Sequence, residues 1–263
     1  MSTTVGPERP VIALLTDFGT SDPYVGMMKG VIAGICPEAN VIDITHDVPS
    51  QDIRLGAFFL ERAHRYFPKA TVFVAVVDPG VGTARAKIAL EANGRYFVGP
   101  DNGVLSLASR RYRAVVLTRR SYFLPDASNT FHGRDVFAPV AAHLARCVSL
   151  SSFGPATGRI VELSWPKPKR TRSALVGEIV SVDRFGNLIT NIEPGDWRSL
   201  RNPRLHAGDF RSSKLSKNYQ SVPKGKLLLV FGGYGLLEIA AREASAAEAL
   251  RLSRGANVRV AAG

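Results

Sequence analysis

Three short apolar runs, separated by stretches of helical periodicity, set the tightest limit on how this chain can fold. They occupy residues 11–16, 40–45 and 71–77, and the last is an almost unbroken series of β-branched and aromatic residues. All three read as buried strands. Residues 26–35 read as a short helix ended by Pro37. Residues 52–67 read as an amphipathic helix, with Ile53, Ala57, Leu60 and Phe67 on one face and Ser50 as its cap. Apolar strands joined by helices need cover on both faces, which predicts a mostly parallel sheet flanked by helices. A hairpin follows, with strands over 87–91 and 95–98 around Asn93-Gly94. Beyond it come a strand over 114–118 and a helix over 136–147.

The pattern then changes. Residues 165–172 are basic and proline-rich, as a linker would be. After them come strand-like runs at 177–182, 188–192, 226–231, 236–240 and 257–260, with only 244–252 looking helical. The expected architecture is an N-terminal α/β domain over residues 1–165 and a smaller C-terminal antiparallel β-barrel domain over 166–263.

Composition removes several function classes. The 263 residues are 45% hydrophobic and 21% charged, as in an ordinary globular protein. No apolar run approaches the roughly 20 residues of a membrane span. Residues 1–9 carry no secretory signal pattern, and Cys36 and Cys147 stand far apart without a CxxC pair. A cytoplasmic protein without disulfides is expected. His46, His64, His143 and His206 lack metal-ligand spacing, so neither a metal centre nor a cofactor is expected. The net charge of +12 clusters in 110–113, 119–120 and 167–172. These runs read as solvated faces and linker, and nucleic acid is not the expected partner.

In an open parallel sheet, ligands bind beyond the carboxyl ends of the strands. The first run ends in Thr16-Asp17-Phe18-Gly19 and the third in Asp78-Pro79-Gly80-Val81-Gly82-Thr83. Asp17 is either a ribose-diol acceptor or a turn former. The 80–82 stretch matches no phosphate loop and reads as a tight turn. Across that turn, Asp78 and Arg85 can fold back as an ion pair, either structural or functional. His132, in Thr130-Phe131-His132-Gly133-Arg134-Asp135, is either a general base or a satisfied cap at a helix start. Asp183-Arg184-Phe185-Gly186-Asn187 reads as a four-residue hairpin loop, or as a loop whose Asn187 amide meets a purine edge.

As a set these motifs look familiar. Residues 15–19, 76–83 with Arg85, 99–103, 131–135 and 183–192, in this order and spacing, resemble the S-adenosyl-L-methionine (SAM) hydroxide adenosyltransferase family. That family is also called the SAM hydrolases and is related to the SAM:halide adenosyltransferases. The resemblance spans residues 11–260. It implies a homotrimer with its active site between the N-terminal domain of one subunit and the C-terminal domain of the next, SAM as substrate and adenosine as product. It implies that Asp78, Arg85 and His132 position and activate water, with His132 the preferred proton acceptor. It implies that Asp17 holds the ribose hydroxyls, that Asp183 meets the methionine ammonium, and that Phe131, Phe185 and Asn187 contact substrate. Halide-using relatives place Tyr at Asp78, Ser at Gly133 and Trp near Gln51, so all three positions point to water. One stretch departs from the family: Gly232-Gly233-Tyr234-Gly235 stands where relatives carry Asn-Ser-x-Gly. The alternatives are halide transfer and a non-catalytic adenosine or SAM sensor.

Overall fold

A computed structural model describes residues 9–109 and 111–263. They form two compact units divided between Ser164 and Trp165.

The N-terminal unit is built on a seven-stranded sheet. Its elements are β1 (Val11–Thr16), α1 (Tyr24–Ile35), β2 (Asn40–Thr45), α2 (Ile53–His64), β3 (Val72–Val76), β4 (Lys87–Ala92), β5 (Arg95–Pro100), β6 (Arg113–Val116), α3 (Ala138–Ala145) and β7 (Ala156–Thr157). The strand order is β2-β1-β3-β5-β4-β6-β7. Pairing is parallel from β2 through β5 and antiparallel from there to β7.

Alternation along β1 and β3 explains the layers. Ile12, Leu14, Val72, Val74 and Val76 pack with Met28 and Ile32 of α1 and with α3. Ala13, Leu15, Phe73 and Ala75 face the other way, with Leu60 of α2. Both faces are thus covered, which is why these strands read as continuous apolar runs. β2 differs: it is an edge strand and mostly exposed, with Ile42 on the surface, so its expected burial is not met.

Three local expectations are corrected. The cap of α2 is Asp52, whose side chain accepts from Leu55 N–H at 3.0 Å, and not Ser50. The expected helix over 136–147 is shorter, because a π-helical turn at Gly133–Phe137 precedes α3. The basic stretch read as linker contains a short strand, β8 (Lys169–Arg170), paired with the next one. In the hairpin, Asn93 and Gly94 both have positive φ, 52° and 70°, as a tight two-residue turn requires.

The C-terminal unit continues with β9 (Ala174–Val182), β10 (Leu188–Thr190), α4 (Pro194–Arg198), β11 (Arg204–Ala207), β12 (Phe210–Ser212), β13 (Leu227–Phe231), β14 (Leu237–Ala241), α5 (Ala246–Leu250) and β15 (Asn257–Ala261). Neighbours in the order β12-β11-β15-β9-β10-β14-β13 are antiparallel. Leu215, just past β12, bridges to Leu229 in β13, so the two ends of the order meet in a nearly closed barrel. Leu175, Ile179, Leu205, Leu229, Ile239, Val258 and Trp197 fill it. The sequence reading missed α4, β11 and β12. Among the described residues, no helix is long and apolar enough to cross a membrane.

Candidate active site

The chain leaves β1 through α1 to one side, to β2, and returns through α2 to β3 on the other side. A reversal of this kind opens a crevice at the carboxyl ends of the two strands. Asp17 follows β1 directly and Asp78 lies two residues beyond β3.

Asp78 and Arg85 do fold back onto each other. Arg85 Nε donates to Asp78 Oδ1 at 2.8 Å, and its Nη2 donates to Asp78 Oδ2. The pair is bidentate, and its side chains are only 10% and 4% exposed, Arg85 first. Such a fork fixes geometry as well as charge. Arg85 Nη2 also meets His132 Nδ1 at 2.9 Å, and the guanidinium stacks over Phe137, 5.6 Å from the ring centroid. The three predicted groups are therefore one connected cluster.

The turn between them needs its glycine. Gly82 has φ +79°, and a Cβ there would sit 2.5 Å from the Asn129 carbonyl oxygen. This close approach packs the 78–85 turn against the segment leading to His132. That segment is secured by buried Asp135, which accepts from Ser128 N–H at 2.8 Å and from Arg134 Nε at 2.6 Å. Burial alone would raise the Asp135 pKa, but these donors outweigh it and hold the carboxyl below its usual range. Arg134 and Asp135 thus secure the loop. His132 leads a π-helical turn, a rare form that recurs at functional sites.

Electrostatics fix the state of His132. Burial, then the charges of Arg85 and Lys87, push its pKa below the ordinary imidazole value, so the ring is neutral near pH 7. An arginine can only donate, so Nδ1 is the bare nitrogen and Nε2 carries the proton. As a consequence, the nitrogen left for a ligand is a donor. Proton acceptance by His132 would require Arg85 to let go.

The cluster opens on a cavity of about 490 Å³ lined by Phe18, Tyr24, Met27, Asp78, Phe131 and His132, among others. Phe131 meets Phe18 and Tyr24 edge to face, with centroids 5.7 and 5.1 Å apart. Gly133 lies on the same wall. A Cβ there would come within 3.2 Å of Phe131 Cε2 and 3.3 Å of Met28 Sδ, so a serine would crowd the aromatic side. Asp17 is half-buried, and its Oδ2 accepts from Gln51 N–H at 2.8 Å.

The remaining predicted residues belong to the C-terminal unit. Asp183 N–H donates to Asn187 O at 3.1 Å, closing the hairpin loop between β9 and β10. Asp183 Oδ1 accepts from the backbone N–H of Phe185 and Asn187, at 2.9 and 2.8 Å. Its Oδ2 accepts from Asn187 Nδ2 at 2.8 Å. Asp183 and Asn187 thus shape the loop, and Phe185 projects from it, 77% exposed. These residues and Tyr219 line a second cavity, of about 660 Å³.

Tyr219 is a residue the sequence reading missed. Its hydroxyl donates to Glu238 Oε2 at 2.9 Å, and burial with this bond pushes its pKa up to about 12. Glu238 is buried, and its pKa is raised by burial and nearby Asp183. A Cβ at Gly232 would overlap the Glu238 carboxylate, so that glycine is matched to the acid behind it. No local signal marks Tyr219, which lies in a short helical turn at Tyr219–Ser221 ahead of β13, 19 residues from Glu238 in β14.

Among the described residues, no group of three or more His, Cys, Asp or Glu could hold a metal ion.

Comparison with known proteins identifies the family. The SAM hydroxide adenosyltransferase N-terminal domain model matches residues 12–154, and the corresponding C-terminal domain model matches 177–259. An (R)-S-adenosyl-L-methionine hydrolase from Salinispora arenicola is 40% identical, covering 97% of this chain and 98% of the relative. A fluorinase from an Actinoplanes species is 30% identical, covering 72% of this chain and 73% of the relative. The crystal structure of a conserved Thermotoga maritima protein superimposes with a TM-score of 0.88 at 37% identity, covering 95% of this chain and 99% of that one. The chain belongs to the SAM hydroxide adenosyltransferase family.

Proposed function

We propose that this chain hydrolyses S-adenosyl-L-methionine to adenosine and L-methionine by in-line attack of water on the ribose C5′. One observation carries the reading. Asp78, Arg85 and His132 converge on a cavity whose wall includes Phe18, next to Asp17. The 40% identity to a named SAM hydrolase over nearly the whole length supports it.

The substrate's sulfonium already makes methionine a good leaving group. The protein must therefore hold water in line with C5′ and exclude competing solvent. Asp78 holds the guanidinium of Arg85, and Arg85 holds His132 in the tautomer whose Nε2–H binds the water oxygen. A second lone pair of that oxygen is then free to form the C–O bond. As it forms, the C5′–S bond breaks and its electron pair returns to sulfur, giving neutral thioether. The new alcohol is formed protonated and is a strong acid, so its proton passes to Asp78 or solvent. Orientation of this kind supplies up to roughly 7–11 kcal/mol in ideal cases. Asp17 takes the ribose diol, Phe131 the nucleoside's open face, and Phe185 and Asn187 the adenine. Asp183 takes the methionine ammonium.

We assign residues 1–165 and 166–263 to two domains of a cytoplasmic homotrimer, with the site shared between neighbouring subunits as the family resemblance implies. A solution mass of three chains tests the assembly. Chromatography of SAM incubated with the protein tests the activity, with equal adenosine and methionine expected. In heavy-oxygen water the label should enter the 5′-hydroxyl. Halogenated deoxyadenosine formed from SAM and chloride would replace this reading with halide transfer. Tight adenosine binding without methionine release would replace it with a sensor.

A further inference from the structure

We propose that His46 is a positioning residue that holds the Asp17 loop in the shape that receives the ribose diol. The inference rests on the function proposed above, in which Asp17 binds that diol.

The observations come from the end of β1 and its neighbour β2. His46 is 4% exposed, and its Nδ1 lies 2.8 Å from Thr16 Oγ1. The same Thr16 oxygen accepts from Phe18 N–H at 3.2 Å. From its backbone, His46 accepts the Gly19 N–H at 2.8 Å. One histidine therefore grips residue 16 with its ring and residue 19 with its carbonyl, and Asp17 and Phe18 are strung between the two. On its far side, His46 Nε2 stands 3.0 Å from Asp43 Oδ1, within ion-pair distance though off the line of an N–H···O bond. Asp43 is tied in turn to Lys29 of α1 at 2.6 Å. A continuous chain of polar contacts runs from the surface of α1 to the backbone under Asp17.

The hydrogen-bond roles are consistent. Thr16 Oγ1 uses one lone pair for Phe18 N–H, and its own proton is free to go to His46 Nδ1. Nε2 then carries the ring proton and faces the carboxylate. Threonine, histidine and aspartate in sequence have the make-up of a nucleophilic triad, but two facts exclude that role. Thr16 is fully buried, and the ring is reversed, with Nδ1 on the hydroxyl and Nε2 on the carboxylate.

Why the loop needs holding follows from its other contacts. Among the described residues, the Asp17 carboxylate has one backbone anchor, Gln51 N–H. Its aim otherwise depends on the backbone of residues 16–19. A displacement of about 1 Å in such a group can cost roughly a hundredfold in rate. A buried histidine locking that backbone from both ends supplies the missing rigidity.

The test compares binding of adenosine and 2′-deoxyadenosine by calorimetry, alongside KM and kcat for SAM and the melting temperature. The unaltered protein should prefer adenosine by roughly ten- to a hundredfold, the size of one charge-assisted hydrogen bond. Asp17→Ala should erase the preference. His46→Ala should shrink it to below roughly a third of its starting value and raise KM more than it lowers kcat. His46→Asn, whose amide lies near the Nδ1 position and keeps a partner for Thr16, should recover most of it. Asp43→Asn, on a half-exposed side chain, should give an intermediate loss in a folded protein. A full preference in folded His46→Ala and Asp43→Asn, with Asp17→Ala losing it, overturns the proposal and leaves the site reading intact. A full preference in Asp17→Ala overturns both the ribose role and the proposal, whereas SAM hydrolysis itself is read separately. If His46→Ala does not fold, Asp43→Asn decides.

Discussion

The two cavities differ in how their polar groups are used. In the N-terminal unit, Asp78 and Arg85 are nearly buried and locked in a bidentate pair, and a third group is aimed from it at the cavity. In the C-terminal unit, the carboxylate of Asp183 holds its own loop with three hydrogen bonds while still lining the cavity, and the broad surface of Phe185 stands beside Tyr219. The first arrangement suits a reacting centre, where charge must be placed within tenths of an ångström. The second suits recognition of a flat, apolar ring, where area matters more than aim. Alterations in the first should act on kcat, and alterations in the second on KM.

The largest effect is expected for Asp78→Ala. It leaves Arg85 unpaired and releases His132, and kcat should fall by about 10²–10⁴-fold with KM within a few-fold of the original. An equal rise in KM would erase the distinction between the cavities. His132 sharpens it. His132→Ala should cost about a hundredfold in kcat, whereas His132→Gln, which keeps an N–H near the Nε2 position, should regain much of the loss. A dead His132→Gln with normal folding would make the histidine a base after all.

The pH profile has a definite sign. Burial and the Arg85 and Lys87 charges lower the His132 pKa, so the neutral ring, the active form in the proposed mechanism, persists from high pH down through neutrality. Protonation breaks the contact with Arg85 only below the usual value of about 6.5, and kcat/KM should fall there and nowhere between pH 7 and 8. A rate that declines as pH rises through 7 would contradict this assignment.

Effects in the second cavity should be smaller. On the proposed role of Phe185, Phe185→Ala removes an aromatic face worth about 1–3 kcal/mol to a stacked base, so KM should rise roughly tenfold with kcat unchanged. Tyr219→Phe keeps the ring and deletes the bond to Glu238. A KM change of about two- to fivefold is expected, because a single net hydrogen bond contributes about 0.5–1.5 kcal/mol.

Much of this was legible from the chain, and the parts that were not share a cause. Strands β1 and β3 announce themselves because both faces are buried and every position but the final Thr16 of β1 is apolar. The Asp78–Arg85 pair was visible because a tight turn separates the partners by only seven residues. β8, β11 and β12 were missed because they are short and partly polar, with partners set by distant strands. Ser50 is the expected cap because the helical pattern reads as beginning at residue 52, and only the path of the backbone makes Asp52 itself the cap. His46 was read solely for metal spacing, since its link to Thr16 depends on the parallel register that puts Leu15 opposite Thr45. The Tyr219–Glu238 contact likewise joins distant positions, a turn ahead of β13 and a residue of β14.

The placement of β1 and β3 has a consequence for how the protein would fail under heat. Each is flanked by neighbours on both sides and sealed above and below by α1, α2 and α3. Their amides can exchange with solvent only when the whole unit opens, and Asp17 and Asp78 inherit that durability. The 183–187 loop rests largely on short-range bonds within itself. On gradual warming, grip on the nucleoside should therefore slacken well before the apparatus that breaks its bond comes apart.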